Sequence, residues 1–445
     1  MSRNRLLMGF ALVVVGSTVV TVAPAAAARS CFGRTATIVG TNRDPRKPVE
    51  IKGTSGDDVI VGLDGWDIIT GRGGDDLICT GGGDDYIKAG PGRDKVRGHG
   101  GFDTILGGGG ADRMWGGGNT DALLGGAGAD RMFGEAGPQD SLIGGPGDDH
   151  MDGGRGYDLA EFWDSPRAVM ADLRAGTATG HGRDEIVSFE GLVGSNHDDT
   201  LLGDEYSNMI QGGGGDDSIE AFGSTADGGF DLLRSGGGVD TLDGGAGMDM
   251  ASYNLQPYPV AADLVTGEAI SAEGFGHDSL IGIEHLVGSK YDDTLMGDDN
   301  DNAIIGNGGN DVMDGRGGVD EAAFFDSREP VVADLGAGTA TAGDWGSDTF
   351  ANFENLQGSG FRDVLSGDDG PNVIWGGARS DSLHGLGGDD ELIGQSGTDA
   401  ADGGEGTDSC DAETETNCEV DPSVAHALMG PSILRWSAKS GWSVL

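Results

Sequence analysis

An aspartate recurs every nine residues between Gly53 and Phe133: Asp58, Asp67, Asp76, Asp85, Asp94, Asp103, Asp112, Asp121 and Asp130. Nine nonapeptides follow one another there without a slip of register. Each sets an apolar residue two positions after its aspartate, from Ile60 to Met132. Carboxylates at a fixed spacing can ligate a hard cation, work as acids and bases, or solvate a face. Solvation requires acidity somewhere, but not an aspartate two residues before every apolar position, so the pattern points to ligation.

The nonapeptide also fixes what must position these carboxylates. Places six and eight lie on one side of an extended segment, so each unit reads as a glycine-rich turn leading into a three-residue strand. Glycines at places one, two and four permit left-handed backbone and leave carbonyl oxygens uncovered. A strand that short cannot bury itself, and successive units must stack their apolar residues into a thin core. Stacking brings the place-six carboxylates within several Å of one another, where they repel. A calcium ion, which takes six to eight oxygen ligands in flexible geometry, would relieve that repulsion.

The pattern continues beyond Phe133. A ten-residue unit carries Asp140, two regular units carry Asp149 and Asp158, and the first array ends with twelve units. A second array carries Asp199, Asn208, Asp217, Asp231, Asp240 and Asp249, with an insertion between Ala221 and Thr225. A third carries Asp293, Asn302, Asp311 and Asp320, and a fourth carries Asp363, Asn372, Asp381, Asp390, Asp399 and Asp408. Asparagine offers a neutral, weaker oxygen. The same module starts replace the place-four glycine with His197, Tyr206, Tyr291, Asn300, Phe361 and Arg379. Bulky residues resist left-handed angles, so these turns are expected to hold calcium poorly or not at all.

Three aligned spacers separate the arrays. Each opens with a shared block (Glu161 to Leu173, Ser252 to Leu264, Ala323 to Leu335) and closes with another, beginning at Phe189, Ile283 and Phe353. Their alternating apolar pattern, as in Val169-Met170-Ala171-Asp172-Leu173, predicts strands that extend or bracket the stack. Glu190, Glu284 and Glu354 match across the spacers and read as structural, since a threefold copy argues for a repeated structural role.

The units resemble the RTX, or haemolysin-type, calcium-binding nonapeptide Gly-Gly-x-Gly-x-Asp-x-U-x. That resemblance implies an all-β fold, a right-handed parallel β-roll or β-solenoid with two nonapeptides per coil. It also implies calcium between neighbouring turns, held by the place-six aspartates named above and by backbone carbonyls. Place-five aspartates such as Asp57, Asp75, Asp84 and Asp148 are expected to point outward as solvating charge.

Composition narrows the partners. Of 445 residues 88 are glycine, and 27 Lys and Arg stand against 75 Asp and Glu, for a formal charge of -48. Such a surface disfavours nucleic acid and anionic membrane. Met1 to Ala28 reads as a secretory signal peptide, with Arg3 and Arg5, an apolar run from Leu6 to Val22 and Ala26-Ala27-Ala28; a retained anchor is the alternative. No later segment is apolar enough to span a bilayer. In an exported chain four cysteines favour two disulfides. Cys31–Cys79 and Cys410–Cys418 are the preferred pairing of three, because each would pin a frayed end to the stack. A zinc site is weaker, for no CxxC occurs.

The organisation expected is a signal peptide (1–28), an N-terminal cap (29–52) and a first array (53–161). A spacer (162–193), a second array (194–252), a spacer (253–287) and a third array (288–323) follow. A last spacer (324–357), a fourth array (358–411) and a C-terminal cap and tail (412–445) complete it. No H-E-x-x-H or G-x-S-x-G motif is present; Gly394-Gln395-Ser396-Gly397 misses the latter by one place. The expectation is a secreted, non-catalytic, calcium-binding protein whose β-roll folds outside the cell. A calcium-stiffened adhesion or matrix protein with a cell-surface or glycan partner is the alternative, and a secreted hydrolase comes after it.

Overall fold

The computed structural model describes residues 29–40, 48–223, 229–271 and 276–419. The signal-peptide reading, residues 41–47 of the expected N-terminal cap and residues 420–445 of the expected tail lie outside the described residues. The described chain is a parallel β-solenoid whose nonapeptides alternate between two sheets. Thr104 pairs with Tyr86 on one side and Ala122 on the other, so a coil takes eighteen residues. The ten-residue unit is absorbed without loss of pairing, Ser141 lying beside Ala122. The only helix among the described residues is one 3-10 turn, Gly343–Trp345.

Sheet I begins at Val49–Lys52 and holds eighteen strands; sheet II begins at Ile38–Val39 and holds twenty-five. The spacers account for most of the difference. From Leu159–Glu161 in sheet I the chain crosses to Met170–Asp172, returns antiparallel through Thr177–Thr179, and turns into Arg183–Val187, which lies on His150–Asp152 of the preceding coil. Gly191–Val193 then settles directly on Leu159–Glu161, and Thr200–Leu202 on Met170–Asp172. Sheet II has thereby gained two strands that sheet I lacks. The second spacer repeats this with Val260–Asp263, Glu268–Ser271 and Gly276–Ile281, and the third with Val332–Asp334, Thr339–Thr341 and Ser347–Ala351. The expected spacer strands therefore extend the roll by insertion into one of its sheets rather than bracketing it.

At roughly 4.8 Å per strand, each spacer lengthens sheet II by about 10 Å relative to sheet I, so the coil axis must turn towards sheet I there. The wedge is filled by side chains larger than the arrays use: Phe162 and Phe189, then Tyr253 and Ile283, then Phe324, Phe350 and Phe353, all buried. Phe350 meets Phe353 edge to face, with ring centres 5.9 Å apart. Along the arrays the core is one place-eight side chain per unit, such as Ile60, Ile69, Ile78 and Ile87, each fully buried. On the inner side of the bend even the outward face of sheet I is covered, where Met250, Val287, Ile305 and Ala323 cluster with Phe325.

Both disulfides are present, Cys31–Cys79 and Cys410–Cys418. The first fastens a hairpin, Ser30–Cys31 with Arg34–Thr35, over the outer face of sheet II. Phe32 there packs at a tilt against Trp115, ring centres 5.5 Å apart, and Arg97 lies over both rings.

Candidate metal centre

Most regular turns take positive φ at places two and four, as at Gly81 and Gly83 or Gly108 and Gly110. Place one favours glycine for a different reason, which is space, although Thr80 and Ala89 occupy it in two units of the first array. A β-carbon on Gly71 would lie 2.4 Å from Oδ2 of Asp76 and 2.5 Å from the carbonyl oxygen of Ala89; on Gly107 it would lie 2.7 Å from Oδ2 of Asp112 and 2.6 Å from the carbonyl of Gly125. A carboxylate oxygen and a carbonyl of the next coil thus converge beside these α-carbons.

The place-six aspartates form two ladders, one along each turn edge. Asp58, Asp76, Asp94, Asp112, Asp130 and Asp149 follow one another at one edge, and Asp67, Asp85, Asp103, Asp121, Asp140 and Asp158 at the other. In every step Oδ1 of one residue accepts the backbone N–H of its counterpart a coil earlier, at 2.7–2.9 Å. The remaining expected residues join the same way: Asp199, Asp217 and Asp240; Asp231 and Asp249; Asp293 and Asp311; Asp320; Asp363, Asp381 and Asp399; Asp390 and Asp408.

The second oxygen is the notable one. In twenty of these aspartates one carboxylate oxygen is buried and meets no hydrogen-bond donor: Asp67, Asp76, Asp85, Asp94, Asp103, Asp112, Asp121, Asp130, Asp140, Asp149, Asp158, Asp217, Asp231, Asp240, Asp249, Asp311, Asp320, Asp381, Asp390 and Asp408. A buried acceptor left this way is costly, and a native fold repeats it twenty times only where something else satisfies it. Burial raises the carboxyl pKa of Asp76 to about 6, of Asp94 to about 7 and of Asp121 to about 8, opposed by the accepted N–H bond and aided by neighbouring carboxylates. Among the described residues no three His, Cys, Asp or Glu side chains meet at one point. An ion at a turn edge would therefore draw most of its ligands from backbone carbonyls, as a calcium ion accepts. The donor set fits that ion.

Five expected ligands differ. Asp58, Asp199, Asp293 and Asp363 open the four arrays, and each receives hydrogen bonds from place two: Thr54, Ser195, Ser289 and Ser359 donate to them through both backbone N–H and hydroxyl. The same serines accept the N–H of His197, Tyr291 and Phe361. A serine-capped turn thus replaces the left-handed one, which explains how a bulky residue is accommodated at place four. The fifth, Asp399, lies near the C-terminal end and is not among those with an orphaned buried oxygen.

Several ladder members escaped sequence reasoning. Asp184, Asp278 and Asp348 on the returning spacer strands accept the N–H of Asp149, Asp240 and Asp311. Glu190, Glu284 and Glu354, read above as structural, carry the other ladder by accepting from Asp158, Asp249 and Asp320. Glu413 and Glu419 cap the C-terminal end on Asp399 and Asp408. The signal was present as Gly-x-Asp-x-apolar at Gly182, Gly276 and Gly346, hidden because the leading glycines are gone. Place-five aspartates are exposed, as expected, yet not idle. Asp57, Asp75 and Asp84 accept the N–H of Asp75, Arg93 and Phe102, forming an outer ladder that runs the opposite way.

Comparison with known sequences follows the same frame. No curated protein matches the chain. The family of RTX calcium-binding nonapeptide repeats (4 copies) matches residues 52–87, 88–123, 106–138, 124–160, 193–221, 225–250, 287–322, 357–378 and 375–410, more than half of the chain. With its eighteen-residue coils and stacked aspartates, the chain belongs to the RTX calcium-binding nonapeptide repeat family.

Proposed function

We propose that this is a secreted, non-catalytic protein whose arrays bind calcium along the two aspartate ladders and fold as they do so. The observation that carries this reading is the set of twenty buried aspartate oxygens that no donor reaches. Calcium, when bound, supplies the positive charge and the demand for oxygen ligands that these edges lack. The ligands are the place-six aspartates of the arrays with the carbonyls of the turns beside them; Asp58, Asp199, Asp293 and Asp363, already satisfied by serine or threonine, contribute least. Capacity is on the order of twenty ions, with affinities of roughly 10⁻⁴ to 10⁻³ M, the range of extracellular modules. Two disulfides and family membership support an extracellular setting, where calcium is plentiful. Inside a cell, carboxylate repulsion and glycine entropy keep the arrays open; outside, binding and folding are one equilibrium.

Circular dichroism of the mature protein during calcium titration, with magnesium as the control, tests this. A cooperative gain of strand signal with calcium alone supports the reading. Full strand signal in a strong chelator at neutral pH overturns it.

A further inference from the structure

Among the ladder carboxylates the orphaned oxygens are confined to the arrays, although Tyr253, Asn254, Asp326 and Gln357 within the spacers each bury an oxygen of their own without a partner. At each spacer four consecutive ladder positions leave no buried oxygen unpartnered: Asp184, Glu190, Asp199 and Asn208; Asp278, Glu284, Asp293 and Asn302; Asp348, Glu354, Asp363 and Asn372. The same three devices recur each time. Glutamate reaches further than aspartate to receive the preceding N–H. Serine at place two caps the aspartate that follows.

Asparagine takes over what an ion does elsewhere. Oδ1 of Asn208, Asn302 and Asn372 accepts the N–H of Asp204, Asp298 and Asp368 at 2.7–2.8 Å. Nδ2 of Asn302 and Asn372 donates to the carbonyls of Glu284 and Glu354 at 2.9 and 2.8 Å, and that of Asn208 to Glu190 at 3.4 Å. A neutral amide donor thus meets a carbonyl of the adjacent coil where an aspartate would present a second bare oxygen. These joints also carry buried aromatic side chains, Phe162 and Phe189, Tyr253, and Phe324 with Phe350 and Phe353. A satisfied ladder, which the arrays lack without ions, and buried aromatic side chains coincide at the spacers.

We propose that the three spacers are ion-independent folded nodes and that calcium acts only on the arrays beside them, drawing each from an open chain into stacked coils. This deepens the calcium reading above and rests on it. It makes the protein a calcium-driven contractile tether between fixed beads. The 53–161 array, open, would span roughly 60 Å as a glycine-rich coil. Stacked as six coils it spans about 30 Å.

Hydrogen–deuterium exchange of the full mature chain, read by mass spectrometry in calcium and in EGTA, tests the proposal. In EGTA, peptides covering 76–130 should exchange as an unfolded chain does, while those covering 183–202, 276–296 and 347–366 stay protected at least tenfold. Spacer peptides that exchange as fast as the array in EGTA, with the array still protected by calcium, overturn the node proposal alone. An array protected equally in both buffers overturns the calcium reading itself. Asn302→Asp is the companion variant. It should lose at least tenfold protection around 285–305 in EGTA and regain it in calcium; unchanged protection in EGTA overturns the role given to the amide.

Discussion

Asp58 donates its backbone N–H to Oδ1 of Asp76, eighteen residues later, at 2.9 Å, while Oδ2 of Asp76 is buried with no donor. One side chain thus does two separable jobs, holding the register of a coil with one oxygen and offering the other to an ion. An N–H bond to a charged acceptor is worth roughly 1.5–3 kcal/mol, so replacing Asp76, Asp85 and Asp94 together with alanine removes both jobs. It should raise the calcium midpoint of the circular-dichroism transition at least several-fold. Asparagine at the same three positions keeps an oxygen that can accept the register bond and adds an amide donor, the group that Asn302 turns to the carbonyl of Glu284. That variant should bind fewer ions while losing less structure than the alanine variant. Titration curves identical to wild type in both variants would refute the division of labour.

Place four takes a left-handed backbone even where Asn119 and Arg379 replace glycine, but at Gly110 nothing larger fits. Gly110 has φ +134°, and a β-carbon there would lie 1.5 Å from the carbonyl oxygen of Gly92 one coil back. Neither atom can retreat, because both belong to turns clamped above and below. Gly110→Ala should therefore prevent calcium from completing the first array, with loss of protection centred on 92–128. A variant that titrates normally would show that the turns are looser than their spacing implies.

How much of this was legible in the sequence follows from which features are periodic. The nonapeptide frame gave the aspartate columns, the place-eight core and the two-unit coil because each recurs at a fixed step. The fate of the spacers was not legible, since Met170–Asp172 and Thr177–Thr179 alternate like any strand and only pairing reveals that they are inserted in sheet II. Asp184 lacked its glycine frame and Glu190 its aspartate, so neither looked like a ladder member, although both receive the N–H that the repeat would have sent to an aspartate. Bulky residues at place four pointed to poor ion sites. What was missing was the reason, a serine at place two that caps the turn and the carboxylate together.

Acidity should imitate calcium in a chelator. An aspartate ordinarily titrates near 3.8, whereas burial raises Asp76 and Asp103 to about 6, Asp94 and Asp149 to about 7, and Asp121, Asp217 and Asp311 to about 8. A group whose pKa is higher in the fold than in the open chain favours the fold while protonated. That contribution is complete below about 3.8 and is lost as pH rises through 6 to 8. In EGTA the strand signal should therefore be strongest near pH 4 and fade between pH 6 and 8. With calcium the dependence reverses, because ligation needs the carboxylate, and the calcium midpoint should rise as pH falls below 6. A flat profile in EGTA between pH 4 and 8 would contradict the burial of these carboxyls.

The two disulfides close loops of very different length, with separations of 48 and 8 residues. In the chain-entropy account the longer bridge stabilises by about 4 kcal/mol and the shorter by about 2.5 kcal/mol. The longer one also holds Phe32 against Trp115 and Arg97, so its loss exposes the outer face of sheet II over several coils. Cys79→Ser should therefore loosen the N-terminal coils, seen as faster proteolysis near Arg97 and Arg113 in calcium, while leaving the arrays beyond Asp199 unchanged. Cys418→Ser should act only on the last coil, where Glu413 and Glu419 cap the ladders of Asp399 and Asp408. Equal sensitivity of both ends to either substitution would mean that the solenoid unfolds as one unit, with no local transmission of strain along its coils.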